Sequence, residues 1–142
     1  MRRIIAGLSA LVLVVSLLTG CQGNGLPDGM DETELLTQGR EIVALLADED
    51  WQAVYDRMRA DGQEKSSAEK IQAYMQALTE KCGAYVEEKD AMATGQTLES
   101  GENYGTAVLY CKHEKKNVVY RIAFSTNMEF MGFQAQKQSL FG

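Results

Sequence analysis

Apolar residues along this chain recur with three different periods, and each period predicts a different kind of segment. Residues 4–18 are apolar almost without a break, interrupted only by the small residues Gly7, Ser9 and Ser16. From Leu35 to Cys82 apolar positions return every three or four residues, the spacing of helices with one buried face. After Gly83 they alternate with polar ones, and β-branched and aromatic residues become frequent, as strands require.

The helical region divides at its caps. Asp31-x-x-Glu34 can satisfy backbone N–H groups at the start of a first helix, whose stripe is Leu35, Ile42 and Leu46 with Leu36 and Val43 beside them, ending near Ala47. Asp48-Glu49-Asp50 is a favourable acidic start for a short second helix with Trp51, Val54, Tyr55 and Met58 on one face, broken at Asp61-Gly62. Ser66-x-x-Glu69 forms a capping box for a third helix carrying Ile71, Tyr74, Met75, Leu78 and Cys82, with Gly83 just past its end.

Four strands are expected at residues 85–94, 104–113, 118–125 and 128–135, with a polar loop at 95–103. The connections at 114–117 and 126–127 leave no room for crossover helices, so the last three strands should form an antiparallel meander. Val118, Tyr120, Ile122 and Phe124 share one face and belong against the helices. Three helices followed by four strands predict an α+β domain with helices on one face of a four-stranded antiparallel sheet.

Helices can cover only one face, yet large apolar groups fall on both. Val108 and Tyr110 oppose Leu109 and Cys111, while Met131 and Phe133 oppose Met128 and Phe130. A sheet with one wet face should alternate apolar with polar. Val108, Tyr110, Met131 and Phe133 are therefore candidate interface residues for a second copy or another protein. The competing expectation is that residues 136–142 fold back over that face, with Leu140 and Phe141 as the plug.

Met1-Arg2-Arg3 ahead of the 15-residue apolar run is the arrangement of a secretory signal peptide, and the run is shorter than the roughly 17 to 25 residues of a spanning helix. Leu18-Thr19-Gly20-Cys21 then resembles the lipobox of bacterial lipoproteins, in which the cysteine thiol accepts diacylglycerol and cleavage falls just before it. The resemblance implies a leader of residues 1–20, a lipid on Cys21, and a place on the outer side of the cell membrane. Two acyl chains make such an anchor durable, since each buried methylene contributes roughly 0.8 kcal/mol. Residues 21–30, with three glycines and the only proline, read as a flexible tether; 31–137 as one domain; 138–142 as a tail.

Charge removes one class of partner. The chain carries −6, and loss of residues 1–20 takes Arg2 and Arg3 but no acid, leaving 12 basic against 20 acidic groups, or −8. Without a cluster of Lys and Arg to neutralise phosphates, nucleic acid is not an expected partner. Contact with the membrane should be through the lipid rather than the domain.

Chemistry is sparse. His113 is the single histidine, beside Lys112, Glu114 and Lys115 near a turn, and reads as a solvated surface residue. Neither a nucleophilic triad nor a nitrogen-and-sulfur metal site can be assembled around it, and no metal or cofactor is expected. The acidic runs at 48–50 and 87–88 lack the spaced ligands of a calcium loop. Cys82 and Cys111 remain as a candidate disulfide pair or as two buried thiols.

Residues 42–46 followed by Asp50-Trp51-x-x-Val54-Tyr55, the helix ending in Cys82-Gly83, and the closing Phe130-Met131-Gly132-Phe133 resemble a bacterial family named domain of unknown function 3887, over roughly residues 37–136. That resemblance implies a fold similar to the cone-shaped nuclear-transport-factor-2-like, or cystatin-like, plan, and supplies no catalytic residues to carry over. A non-catalytic binding or interaction domain is the resulting expectation. The alternative is a small-molecule-binding or isomerase-like cone with Tyr74, Tyr110 or Tyr120 pointing inside. An interior filled by Trp51, Met75, Tyr120 and Phe124 would favour the first.

Overall fold

Asp31 caps the first helix as its sequence predicts, its carboxylate accepting from the Glu34 N–H at 2.9 Å, in a computed structural model that describes residues 25–139. The leader, Cys21, and Leu140 and Phe141 lie outside the described residues. Helix α1 spans Glu32–Ala47 and buries Leu35, Ile42, Val43 and Leu46. Asp50 caps α2, Trp51–Arg57, by accepting from the Ala53 N–H. A short helix, α3 at Ala60–Glu64, follows where Asp61-Gly62 predicts only a break. Helix α4, Ala68–Cys82, is capped by Ser67, whose hydroxyl accepts from the Lys70 N–H at 3.1 Å, rather than by Ser66.

The strands are β1 (Tyr85–Thr97), β2 (Asn103–His113), β3 (Asn117–Ser125) and β4 (Phe130–Lys137). They form one antiparallel meander in the order β1-β2-β3-β4. Strand β1 therefore includes Gly95, Gln96 and Thr97, which were expected in a loop. Opposed residues of an antiparallel pair share a face. One face thus carries Leu109, Tyr120 and Ala135 in one row and Ala107, Ile122 and Phe133 in the next, all against the helices. The fold is α+β, with helices on one side of a four-stranded sheet.

Helix α1 lies across β2 and β3, and α4 packs against α2 and β4. Gly39 sets how closely α1 approaches, because a Cβ there would come within 2.6 Å of the Ala107 Cβ. The centre of the molecule is filled by side chains: Phe124 and Tyr120 are 0% and 1% exposed, and Met75 is buried beside them with Trp51 half-buried against the same cluster.

Residues 25–30 depart from the expected tether. Leu26 and Met30 pack on the core, the Met30 N–H donates to the Pro27 carbonyl at 3.1 Å, and a Cβ at Gly105 would meet both side chains. Leu26, five residues before the cap Asp31, and Met30, immediately before it, have enough apolar surface to order a glycine-rich segment.

Candidate functional site

The outward face of the sheet is assembled by register. Met92, Val108, Arg121 and Gln134 form one row across the four strands, and Asp90, Tyr110, Val119 and Gln136 form the next. Val108 and Val119 are buried at the centre, while Met92 is 37% exposed and Tyr110 half-exposed above them. The Tyr110 hydroxyl donates to the Met92 sulfur at 3.6 Å, which holds the two side chains together. Polar groups border this strip. The Thr106 hydroxyl donates to Gln96 Oε1 at 2.6 Å and Arg121 donates to Gln136 Oε1 at 3.4 Å. Beside them a shallow groove of about 320 Å³ is lined by Tyr104, Thr106, Arg121 and Gln134.

Of the four expected interface residues, Val108 and Tyr110 stand on this face. Phe133 does not. A β-bulge shifts the β3–β4 register so that Phe124 pairs with Phe130 and Ala123 with Gly132, leaving Met131 as the extra residue. The bulge reverses side-chain parity, so Phe130 and Phe133 both face the helices, and Phe133 meets Tyr74 edge-on with centroids 5.8 Å apart. Met131 sits at the bulge, where its carbonyl approaches Gly62 of α3 so closely that a Cβ on Gly62 would lie 2.7 Å from it. Met92 and Val119 take their places on the outer face, and the alternation of β1 and β3 with β2 would have found both.

His113 is not a surface residue. It follows Leu109 and Cys111 on the inward face of β2 and is 4% exposed. Its Nδ1 lies 2.8 Å from the Gly83 carbonyl and its Nε2 2.9 Å from the Tyr120 hydroxyl, and Tyr85 closes over the ring edge-on. The turn after β2 is sewn to the end of α4, with the Lys115 and Lys116 N–H groups donating to the Cys82 carbonyl, and this covers the imidazole. Burial raises the pKa of the Tyr120 hydroxyl above its ordinary value, and burial pushes the Cys111 thiol up to about 12. Cys82 and Cys111 are both buried free thiols with no bond between them. A buried protonated thiol is a poor nucleophile, and both ring nitrogens of His113 are occupied, so this cluster is a satisfied part of the core.

Nor do the three tyrosines converge. Tyr74 lies over the edge of β4, its hydroxyl donating to the Ala135 carbonyl at 2.8 Å and accepting from the Ala135 N–H at 3.0 Å. Tyr110 is on the outer face, and only Tyr120 points inward. Between α1 and β1 a groove of about 400 Å³ is lined by Val43, Ala47, Tyr85 and Leu109. Of its charged groups, Arg40 and Glu88 are spent on each other in a two-pronged pair at 2.8 and 2.9 Å, which leaves Asp48 at the rim. No cluster of three or more potential metal ligands occurs among the described residues.

Residues 39–133 match the family described as "Protein of unknown function (DUF3887)". The chain belongs to that family. Its fold is similar to the NMR structure of a protein from Ruminococcus gnavus ATCC 29149, with a TM-score of 0.65 and 26% identity over 78% of this chain and 96% of that one. No curated protein matches the chain. The DUF3887 match spans the helices from the middle of α1 and most of the sheet, so the outer face lies within the family's own domain.

Proposed function

We propose that this DUF3887 protein is exported, anchored to the outer side of the cell membrane by a diacylglyceryl group on Cys21, and carries a non-catalytic binding domain that associates with a second copy through its outer sheet face. The strip of Met92 and Tyr110 over Val108 and Val119 carries the binding half of this reading. Charged residues border it on opposite sides, Asp90 on β1 and Arg121 on β3, so a twofold axis running along β2 between them would bring unlike charges toward each other. Strands about 4.8 Å apart and a rise of about 3.4 Å per residue make the face roughly 20 by 35 Å. Two such faces bury about 1,200–1,400 Å², the lower end of a stable interface. Copies held on one membrane meet at raised effective concentration, which suits a modest contact. The filled interior, with Tyr120 and Phe124 where a cone ligand would sit, supports a binding surface over an internal pocket.

The Leu-Thr-Gly-Cys sequence after the apolar run supports the anchor, and among the described residues no helix is long and apolar enough to cross a membrane. Mass spectrometry of the membrane-extracted protein should give an acylated N-terminal Cys21; retention of Met1, or Cys21 without acyl mass, sinks that half. For the other half, sedimentation of residues 22–142 should show a monomer–dimer equilibrium that Met92→Lys or Tyr110→Lys shifts to monomer without lowering the melting temperature. A monomer at every concentration, or a dimer indifferent to both changes, rejects the second copy as the occupant.

A further inference from the structure

The ordered start of the domain fixes which end of the sheet lies near Cys21. Gly25, Leu26 and Asp28 share a polar hollow with Gly95, Gln96, Thr97 and Asn103, and the Gly25 carbonyl is pressed onto Gly95. Thr97 pairs with Asn103 and Tyr104 with Ser125, so the β1–β2 hairpin and the β3–β4 turn both sit at this end. The turn after His113 sits at the other, roughly 34 Å away along β2 at about 3.4 Å per residue. Only four peptide steps separate Cys21 from Gly25, a reach of at most about 14 Å even fully extended.

From this geometry we infer that the chain presents the β1–β2 hairpin end of its sheet to the lipid headgroups and points the turn at residues 114–116 away from them. The inference rests on the lipid anchor at Cys21. A tether shorter than half the length of β2 cannot let the domain turn end over end. Leu98, 39% exposed, stands at the tip of the hairpin at this end. Asp28, Asp31, Glu32 and Glu99 at the same end repel anionic headgroups, so the end approaches the surface without entering it. The distal end carries Lys81, Lys112, Lys115 and Lys116 and is left open to the surroundings.

The full chain, acylated and reconstituted into phosphatidylcholine vesicles containing a trace of rhodamine-labelled lipid, tests this by energy transfer from a donor at Leu98→Cys or Lys115→Cys. Both positions are exposed, while Cys82 and Cys111 are buried and escape the label. Transfer from position 98 should exceed that from position 115 by roughly twofold or more, given the length of β2. Inserting a flexible Gly/Ser spacer of about 20 residues after Gln22, which adds some 25 Å of reach, should abolish the difference. Equal transfer, or greater transfer from position 115, in protein that floats with the vesicles overturns the orientation and leaves the anchor standing. Protein that does not float overturns the anchor, and the orientation with it.

Discussion

His113 shows what a buried polar side chain demands of its neighbours. The Gly83 carbonyl can only accept, so Nδ1 must carry the hydrogen, and in the neutral imidazole Nε2 then accepts from the Tyr120 hydroxyl. Every polar atom of the pair has a partner. Tyr120→Phe keeps the ring that fills the core and removes only the donor, leaving a buried nitrogen without a partner. The expected cost is roughly 1–3 kcal/mol, read as a lower urea midpoint with an unchanged slope. A midpoint equal to the parent's would mean that water or a neighbour replaces the hydroxyl, and that the pair does not hold β2 to β3 through these side chains. The sequence hides this cluster because Lys112, Glu114 and Lys115 surround His113, and composition outweighs parity in a local reading. Counting by twos from Leu109 and Cys111 places it inward.

Elements are legible where periodicity is strong and blurred where one residue of shift matters. The alternation of Val118, Tyr120, Ile122 and Phe124 places β3 correctly, and α1 ends at Ala47 as its stripe implies. Strand β1 runs on through Gly95 to Thr97 because pairing to β2, not a hydrophobic face, sustains it there. The β4 register is lost at Met131, since a bulge inverts every face after it; Gly132 beside it, at φ 156°, is the mark it leaves in the sequence. Helix α3 is too short for a periodic signal, and its Gly62 reads as a break when it is a point of contact with Met131. Two adjacent serines offer a direct check on such one-residue ambiguity. Ser67→Ala should destabilise the domain by about 1 kcal/mol, because the Lys70 N–H loses its acceptor, whereas Ser66→Ala should change stability far less. Thermal melts of the two variants side by side decide it, and equal losses would refute the assignment of the cap to Ser67.

At the scale of the whole molecule, a chain of net charge −6 holds the β1–β2 hairpin end of its sheet together with a cation. Arg59, ahead of α3, pairs with Asp61 at 2.8 Å and reaches across to Glu102 beside β2 at 2.7 Å, while its backbone N–H donates to the Phe130 carbonyl. The guanidinium thus joins the α2–α3 connection to the β1–β2 hairpin, and the backbone of the same residue joins it to the start of β4. The hydrogen bond from Arg59 lowers the Asp61 carboxyl from 3.8 to about 2, and the same cause lowers Glu102 from its ordinary 4.5. Groups depressed in the folded state stabilise it above their unfolded values and lose that contribution as pH falls through the folded ones. The clamp should therefore act fully above about pH 4.5 and fade toward pH 2. Acid also relieves the repulsion among the excess carboxylates, so the parent protein alone mixes two opposing trends. Arg59→Met separates them, because it keeps an apolar stem and the backbone bond and removes only the charge. The stability difference between parent and variant should be constant from neutral pH down to about 4.5, shrink below it, and be mostly lost by pH 2, where Asp61 is protonated in the unfolded chain and about half protonated in the folded one. It should also shrink in high salt, since Asp61 is exposed and Glu102 partly so. Urea midpoints across that range measure it, and a difference that persists undiminished at pH 2 would show that Arg59 acts through packing rather than through its two carboxylates.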